Sequence, residues 1–491
     1  MYICSPSHMQ LLENELISSG ISSEVLMNEA SLRIAEEILK CLPTFHRCIA
    51  FVGKGNNGGD AVAILRFLRQ KGWDISIRSP FQPKEWGFLS QKQLSLLQNT
   101  EIDNSPHLVP LLPRTLILDG LLGLGSQGIL KSPLLEACDE INRLRMESPL
   151  CKTWAIDLPS GMNADTGIPD THTVIADFTS PIGTVKRGMV ADEATRHTGR
   201  LIPIPMMGLN PTEWKATVCS PRKLSFYLRP RNYELFKNQA GHVGIIAGSP
   251  GMTGAARLCS EAALRAGAGL VTLVVKEEIY PIVAASAPAS IMVKPVKSLE
   301  NINYATFSTL LIGPGLGQIN QQDARAIGYL LRDFKGSIIL DADGLNLAAR
   351  HGWDLGDNIL ATPHPGEIRR LINTALDTPR IQIAKAFTDR HRATLILKGA
   401  RSIITVSGKQ PCYNTSGGPA MAVAGQGDVL AGVCAGLCAQ GIPLFDAACL
   451  GAYLCGKSSD ILLALEKQTE QTLTAQDTLD GIHRAFLSLS E

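Results

Sequence analysis

One glycine-rich segment constrains the fold of this chain more than any other feature of the sequence. The run GKGNNGGD at residues 53–60 follows an apolar run at 48–52 and precedes residues 61–69, where apolar side chains recur at helical spacing. This order predicts a buried strand, a tight turn and a helix, with backbone that a ligand can approach closely. Free amide groups at the start of such a helix favour an anionic group such as a phosphate.

Two similar units follow in the first half of the chain. In each, an apolar run leads into a polar turn that contains glycine: 115–118 into 119–125, and 153–156 into 157–161. Helical patterns between these runs predict an α/β fold, in which helices cover both faces of a parallel sheet. Ligands bind beyond the carboxyl ends of such strands, so the polar residues there are expected to face one pocket. They are Asn57, Asp119, Asp157 and Ser160.

A cluster of prolines at residues 203–221 separates this half from a second one, which begins again with a strand and a glycine turn. The chain has 491 residues, too many for one ordinary core. We therefore predict two domains, at residues 1–218 and 219–491. Strands of the second domain are predicted at 242–247, 270–275, 309–312, 338–340, 394–397 and 403–406.

Composition narrows the classes of partner and compartment. The formal net charge of +1 indicates neither a nucleic-acid nor an acidic-membrane partner. The 12 cysteines include no Cys-x-x-Cys pair, which favours buried reduced thiols in a cytoplasmic protein over a zinc site. The N-terminus does not resemble a signal peptide, and no apolar run approaches the ~20 residues that span a bilayer.

Three segments of the second domain are candidates for chemistry. Gly425, Gln426, Gly427 and Asp428 precede a helical pattern; Asp428 is a candidate general base there, or else a helix cap. His364 is held between two prolines at a strand end, as a functional residue or an ordinary surface histidine. Residues 398–402 join two strands and either meet a nucleotide or form a hairpin with solvated charges.

The polar residues of the first domain also suggest a cation. Asn57, Asp119 and Ser160 offer hard oxygen ligands, which excludes a good zinc or copper site and permits an alkali or alkaline-earth ion. The alternative is that these side chains hold three loops together by hydrogen bonds.

Taken together, these motifs resemble the bifunctional NAD(P)H-hydrate repair enzymes, which join an epimerase domain to an ADP- or ATP-dependent dehydratase domain. In the first domain the resemblance rests on residues 26–30, 55–60, 119–125, 156–161, 176–177 and 186–188. In the second domain it rests on residues 248–255, 313–317, 341–346, 362–367, 398–402 and 414–432. It implies a Rossmann-like three-layer αβα domain followed by a ribokinase-like αβα domain.

The resemblance also implies roles for individual residues. Contacts to the hydrated nicotinamide nucleotide in the first domain would come from Asn56, Asn57, Gly58, Gly59, Asp60, Gly123, Leu124, Gly125, Ser126, Gln127, Gly128, Ile129 and Asp157. Potassium would bind Asn57, Asp119 and Ser160. In the second domain the hydrated substrate would contact Ala255, Gly317, His364 and Asp428. The adenine nucleotide would contact Lys398, Gly399, Ala400, Arg401, Ser402 and Gly427.

The activity implied is nicotinamide nucleotide repair. The first domain would interconvert the R and S forms of hydrated NADH and NADPH, with Asp157 as acid or base and Asp60 as helper. The second would dehydrate the S form at the expense of ADP or ATP with magnesium, with Asp428 as base. A homo-oligomer is expected from the resemblance. The alternative is a small-molecule kinase of the ribokinase superfamily with a non-catalytic N-terminal binding module.

Four positions depart from the family pattern. Ala61 and Ser31 stand where glycine is usual, which we expect to tighten the turn at Ala61. Gln426 replaces a usual Thr or Ser and removes the hydroxyl of that turn. Ser402 replaces a common Thr and keeps the hydroxyl.

Overall fold

The computed structural model describes residues 1–97, 100, 102, 114–125, 128–148, 150–209, 211, 214–228 and 230–490. The chain divides into two compact units, Met1–Val218 and Cys219–Glu491. Among the described residues, none of the helices combines the length and the apolar character that crossing a bilayer requires.

Unit 1 alternates strands and helices along most of its length. Its strands are β1 (Tyr2–Cys4), β2 (Arg47–Val52), β3 (Asp74–Arg78), β4 (Thr115–Gly120), β5 (Lys152–Ile156), β6 (Phe178–Ser180), β7 (Val185–Lys186), β8 (Arg200–Leu201) and β9 (Ala216–Val218). Its helices are α1 (Pro6–Ser18), α2 (Ser23–Cys41), α3 (Asn56–Gln70), α4 (Phe88–Leu96), α5 (Leu134–Glu147) and α6 (Thr195–Thr198).

The main sheet of unit 1 is parallel and has the order β3-β2-β4-β5-β6-β8. Alternate residues of β2 face two cores: Ala50 and Val52 pack with α2 and α3, whereas Ile49 and Phe51 pack with α5. Helices therefore cover both faces of the sheet, as the sequence predicted. Beside this sheet, β1 pairs in parallel with β7 and antiparallel with β9.

Unit 2 repeats the alternation with a larger sheet. Its strands are β10 (His242–Ile246), β11 (Leu270–Lys276), β12 (Met292–Val296), β13 (Thr309–Ile312), β14 (Ser337–Leu340), β15 (Ile359–Ala361), β16 (Thr394–Leu397), β17 (Ile403–Thr405) and β18 (Cys412–Tyr413). Its helices are α7 (Pro221–Leu224), α8 (Thr253–Arg265), α9 (Tyr280–Ser286), α10 (Gln321–Asp333), α11 (Asp343–His351), α12 (Pro365–Ile372), α13 (Arg380–Arg390), α14 (Gln426–Ala439), α15 (Leu444–Ala464), α16 (Ala475–Asp480) and α17 (Ile482–Leu487).

In unit 2 the strand order is β12-β11-β10-β13-β14-β15-β16-β17-β18, parallel from β12 to β16 and antiparallel beyond. One core joins Val243 and Ile245 of β10 to α8, α14 and α15. Leu310 and Ile312 of β13 are buried as well. Strands buried on both faces explain why the sequence reads as continuous apolar runs, and the predicted α/β fold class is confirmed.

Two helices begin earlier than the sequence predicted. Helix α3 begins at Asn56 and α14 at Gln426, so the polar ends of both glycine runs lie within helices rather than in loops. The prediction started each helix later because glycine is a weak helix former. At Gly58, however, a Cβ would collide with the carbonyl oxygen of Gly53, so close packing requires glycine inside this helix.

Candidate active sites

The loops that follow β4 and β5 in unit 1 are joined through one buried carboxylate. Asp119 is fully buried, and its two oxygens accept hydrogen bonds from the Ser160 hydroxyl at 2.7 Å and the Ser160 amide at 2.8 Å. The Ser160 hydroxyl in turn accepts from the amide of Leu122, whose carbonyl oxygen accepts from the Asn57 side chain at 2.8 Å. Asn57, Asp119 and Ser160 therefore meet at the carboxyl ends of the strands.

This cluster has the donor set of a hard cation. Asn57, Asp119 and Ser160 contribute only oxygen atoms to such an ion. Burial raises the pKa of Asp119 to about 6, although hydrogen bonds from Ser160 and Leu121 oppose the rise. A buried carboxylate whose charge is this unfavourable gains from a cation beside it, so the residues fit a monovalent ion such as potassium. The same hydrogen bonds also hold the loops together, which was the alternative interpretation.

A buried ion pair lies after β5. Asp157 has a left-handed backbone conformation (φ 60°), which is unusual for a residue other than glycine. Its carboxylate pairs with the Lys186 ammonium group and accepts a hydrogen bond from the amide of Ile182 at 3.0 Å. Lys186 is almost fully buried and also donates to the Ile182 carbonyl oxygen at 2.9 Å. The pair fixes one ionised carboxylate at the strand end.

Two further carboxyl groups share this region with the ion pair. Burial, reinforced by the charge of Asp157, holds the pKa of Asp60 well above its ordinary range, against a hydrogen bond from Ser31. Burial and Asp157 also raise the pKa of Glu13 on α1, while Lys186 opposes the rise. All four ionisable groups line one cavity of about 700 Å³. The cavity therefore places the carboxylate of the Asp157–Lys186 ion pair beside two carboxyl groups whose pKa values are raised.

Some of the residues predicted to contact substrate in unit 1 line the cavity and others do not. The cavity lining includes Asn56, Asn57, Asp60, Gly123, Leu124, Gly125 and Asp157. Within the described ranges, that lining does not include Gly58, Gly59, Gly128 or Ile129. Gly58 and Gly59 serve helix packing, because a Cβ on either would clash with Gly53 or Met27. Ser126 and Gln127 lie outside the described residues.

In unit 2, an ion pair formed by Lys398 and Asp341, which follow two different strands, lies at the start of α14. The Lys398 ammonium group lies 2.9 Å from the buried carboxylate of Asp341, which also accepts from the Thr362 hydroxyl at 2.7 Å. An ideal Cβ on Gly427 would stand 3.3 Å from the Lys398 nitrogen, so the lysine reaches the first turn of α14. Gly425, before that turn, has φ 90°, which favours glycine.

Asp428 lies in this first turn, and its pKa is raised. Burial raises its pKa to about 6, the charge of Asp341 adds to the rise, and Lys398 opposes it. Burial alone would lower the pKa of Lys398, but Asp341, Glu367 and Asp428 together raise it, so the lysine remains charged. A carboxylate with a pKa near neutrality, beside a fixed cation and free helix amides, suits proton abstraction during transfer of an anionic group.

Ala255 and Gly317 lie together at another strand end of the same unit. Gly315, between β13 and Gly317, has φ 56°, and a Cβ there would stand 3.0 Å from the Cβ of Ala255. The amide of Gly317 donates to Asp343 at the start of α11, at 2.8 Å. These glycines allow the loop to lie against α8.

His364 forms the cap of α12. Its Nδ1 accepts from the Gly366 amide at 2.9 Å, while its own amide donates to the Glu367 carboxylate at 2.8 Å. The side chain is 53% exposed, and its Nε2 lies 3.5 Å from the Glu367 carboxylate. The Lys398 amide donates to the Pro363 carbonyl oxygen, which places this cap next to the Lys398 strand end.

The 398–402 segment joins β16 to β17 as an antiparallel hairpin. Only its lysine reaches the charged cluster described above. Arg401 is buried, and its carbonyl oxygen accepts from Arg380 at 2.8 Å. The guanidinium group of Arg380 lies under Gly399, where a Cβ would clash with it. Ala400 is exposed, and the Ser402 hydroxyl lies 3.5 Å from the Gly399 carbonyl oxygen.

Three of the departures from the family pattern have structural partners. Ser31 donates from 3.3 Å to both the carbonyl and a carboxylate oxygen of Asp60. Ala61 is fully buried and fits because Gly120 opposite it has no side chain. Gln426 donates to the Thr478 hydroxyl at 2.9 Å, so it ties α14 to α16.

Sequence reasoning gave no role to several residues of these sites. Glu13 lies on a surface-type helix, and Asp341 and Lys186 were noticed only within motifs. Isolated charged residues in a sequence are usually predicted to be solvated side chains. Only the folded structure, which brings these residues close together, identifies them as members of a site. The sequence offered one signal for the Asp157–Lys186 pair. Asp157 follows a predicted strand, and Lys186 begins the motif at residues 186–188.

Comparison with known proteins agrees with this geometry. Residues 23–188 match the family model of the YjeF-related protein N-terminus, and residues 243–484 match that of NAD(P)H-hydrate dehydratase. The chain is 32% identical to the bifunctional NAD(P)H-hydrate repair enzyme of Moorella thermoacetica, over 100% of this chain and 98% of the relative. It is also 32% identical to that of Coxiella burnetii, over 95% of each chain.

Among solved structures, a ribokinase-like superfamily protein from Enterococcus faecalis aligns with a TM-score of 0.50 and 24% identity, covering 57% of this chain and 98% of that one. This likeness supports the ribokinase-like fold. The sequence identity over the full length and the two family models together identify the family of the whole chain. The predicted family is confirmed: this chain belongs to the bifunctional NAD(P)H-hydrate repair enzymes.

Proposed function

We propose that the chain regenerates NADH and NADPH from their hydrates with one activity in each unit. NAD(P)H-hydrate repair is the activity of its family. Unit 1 would epimerise the R and S forms, and unit 2 would dehydrate the S form at the expense of ADP or ATP. The observation that carries the proposal is the meeting of Asp428, Lys398 and Asp341 at the glycine-rich start of α14.

The dehydration has one difficult step. The hydrate carries a hydroxyl group on C6, next to the ring nitrogen, and hydroxide is a poor leaving group. Asp428 would accept the hydroxyl proton while the oxygen attacks the terminal phosphoryl group of the nucleotide. The P–O bond to the rest of the nucleotide breaks, so that AMP leaves from ADP, or ADP from ATP. The amides of the first turn of α14 and the ammonium group of Lys398 would stabilise the phosphoryl oxygens. Phosphate then leaves with the C6–O electron pair, the ring nitrogen lone pair helps to expel it, and loss of a ring proton restores the dihydronicotinamide.

Other predicted contacts of unit 2 support a substrate at the same edge of the sheet. His364 follows β15 and the loop at Gly317 follows β13, on either side of β14 and Asp341, so both suit contact with the hydrated nucleotide. The hairpin at 398–402 would hold the adenine nucleotide, chiefly through Lys398. Magnesium would arrive with the nucleotide and neutralise part of its phosphate charge.

The epimerisation needs one proton acceptor and one proton donor near C6, whether the ring opens or water is lost reversibly. Asp157 suits the acceptor because the ion pair with Lys186 and the amide of Ile182 hold its carboxylate at the strand end. Asp60 suits the donor because burial and Asp157 favour its protonated form. Reaction at the other face of the planar or opened intermediate then gives the second epimer.

Potassium would be held by Asn57, Asp119 and Ser160 and would neutralise the Asp119 charge at the strand ends. Those residues also shape the loop of Leu122 and Gly123 that lines the cavity. We further propose a cytoplasmic homo-oligomer, in keeping with the family resemblance and with twelve cysteines that form no disulfide bonds.

The decisive experiment follows near-ultraviolet absorbance of NADH in a mixture of R and S hydrates, with ADP or ATP and magnesium. Recovery of NADH from both epimers, dependent on nucleotide, is the expected result. Recovery of the S form alone would leave unit 1 as a binding module. A stable phosphoester without NADH would favour the kinase alternative.

Variants separate the two activities. Asp428→Asn should bind both ligands but dehydrate very slowly, and Asp157→Asn should stop enzymatic clearance of the R form while S-form dehydration continues. The controls are Asp333→Asn in unit 2 and Asp165→Asn in unit 1, because both aspartates form exposed ion pairs. Near-normal turnover in either active-site variant would remove that residue from the mechanism.

A further inference from the structure

Three cysteines from separate parts of unit 2 meet in its core. Cys219 is the first residue of the unit, Cys412 lies in β18 and Cys449 lies in α15. Their three sulfur atoms all lie within 4.8 Å of one another, and those of Cys219 and Cys412 are 3.6 Å apart. The spacing of cysteines in the sequence gave no indication of this cluster, because the three residues are far apart in the chain.

We propose that Cys219, Cys412 and Cys449 form a binding site for one soft monovalent metal ion, copper(I). The site is separate from the proposed catalytic residues, and the inference does not depend on the proposed function.

The geometry suits three-coordination. Metal–sulfur bonds are about 2.3 Å long, so three sulfur atoms around one ion in a plane are about 4.0 Å apart. The Cys219–Cys412 sulfur separation of 3.6 Å is close to this value, and no separation within the cluster exceeds 4.8 Å. An ion at the centre would therefore need small side-chain adjustments and no movement of the strands or helices.

The ligand set selects the kind of ion. Thiolates prefer soft ions such as copper(I), whereas structural zinc takes four ligands. Within the described part of the chain, the group contains three ligating side chains and no fourth. The cysteines are 4–6% exposed, so the site would exclude water once it is filled.

A filled site would join elements that are already connected. Asn414 and Ser416, just after β18, donate to the carbonyl oxygens of Ala452 and Tyr453 on α15 at 3.1 and 2.9 Å. A metal ion between Cys412 and Cys449 would add a second link between β18 and α15. Because the folded site is preformed, binding should raise the thermal stability of the chain.

The test loads the reduced full-length chain with copper(I) and challenges it with a colorimetric copper(I) chelator. The wild type should retain one copper(I) per chain, and Cys412→Ser should retain none. Cys438→Ser is the matched control, because Cys438 is as buried as Cys219 but lies outside the cluster; this variant should behave like the wild type. X-ray absorption of the loaded wild type should show three sulfur neighbours.

Equal retention by the wild type and Cys412→Ser, or no retention by either, would mean that the cluster is ordinary core packing. A preference for one zinc(II) over copper(I) would overturn the choice of ion. Cys449→Ala provides a second variant if Cys412→Ser does not fold, and a cooperative thermal transition for each variant establishes folding. Two sulfur neighbours instead of three would exclude the three-cysteine site.

Discussion

The acidity of Asp428 predicts how dehydration depends on pH. With a pKa of about 6, this carboxylate would be about 90% ionised at pH 7 and about 10% at pH 5. If Asp428 accepts the hydroxyl proton, the rate of the chemical step should fall about tenfold between these pH values. A single-turnover measurement on the S hydrate isolates that step from product release.

The neighbouring charges then test whether Asp428 is the group that titrates. Burial raises its pKa first, and the negative charge of Asp341 raises it further. Asp341→Asn removes that charge while the amide oxygen still accepts from Lys398 and Thr362, so the pKa of Asp428 should fall. The acidic limb of the rate profile should therefore move to lower pH. Asp333→Asn, on the surface of the same unit, should leave it in place.

An acidic limb that stays fixed in Asp341→Asn, or that moves to higher pH, would refute the reasoning. Either result would mean that another group controls the rate or that Asp341 does not act on Asp428 through its charge.

Three further predictions concern unit 1. Lys186→Met leaves its buried carboxylate partner without a cation, and chemical denaturation should report a loss of about 3–5 kcal/mol; an unchanged midpoint would contradict a buried pair. Gly58→Ala should cost about 1–3 kcal/mol because its Cβ meets a carbonyl oxygen, whereas Gly125→Ala, with open space, should be neutral. Asp119→Asn should weaken potassium activation of epimerisation without affecting S-form dehydration; equal activation in both proteins would exclude Asp119 as a ligand.

The parallel sheets were predictable because their strands are buried on both faces and end in glycine turns. Residues 309–312 and 394–397 form strands with the predicted bounds. Pro295 and exposed residues in β12 gave no such signal, and the short β7 and β8 depend on neighbouring strands rather than on their own sequence. The early starts of α3 and α14 were missed because tertiary packing overrides the weak helix propensity of glycine.

The sites were predictable where a motif supplies several residues at one strand end, as at Asn57 and Asp119. Glu13 was not predictable, because a glutamate on an amphipathic helix reads as solvated. Glu13 belongs to the candidate site only because α1 faces the cavity, and this placement depends on the tertiary structure. The cluster of Cys219, Cys412 and Cys449 was not predicted for the same reason, because only the tertiary structure brings the three residues together.

Both units use the same electrostatic arrangement, although their sequences are unrelated. In each, a strand-end aspartate forms a buried ion pair with a lysine, as Asp157 does with Lys186 and Asp341 with Lys398. A second carboxyl group near the start of a glycine-rich helix lies near that pair, and its pKa is raised by burial and by the paired aspartate. Environments that separate the acidities of two carboxyl groups assign acid and base roles. The raised pKa of Asp60 suits a proton donor in unit 1, whereas the lysine-moderated value at Asp428 leaves a base at neutral pH, so one arrangement supports both proposed reactions.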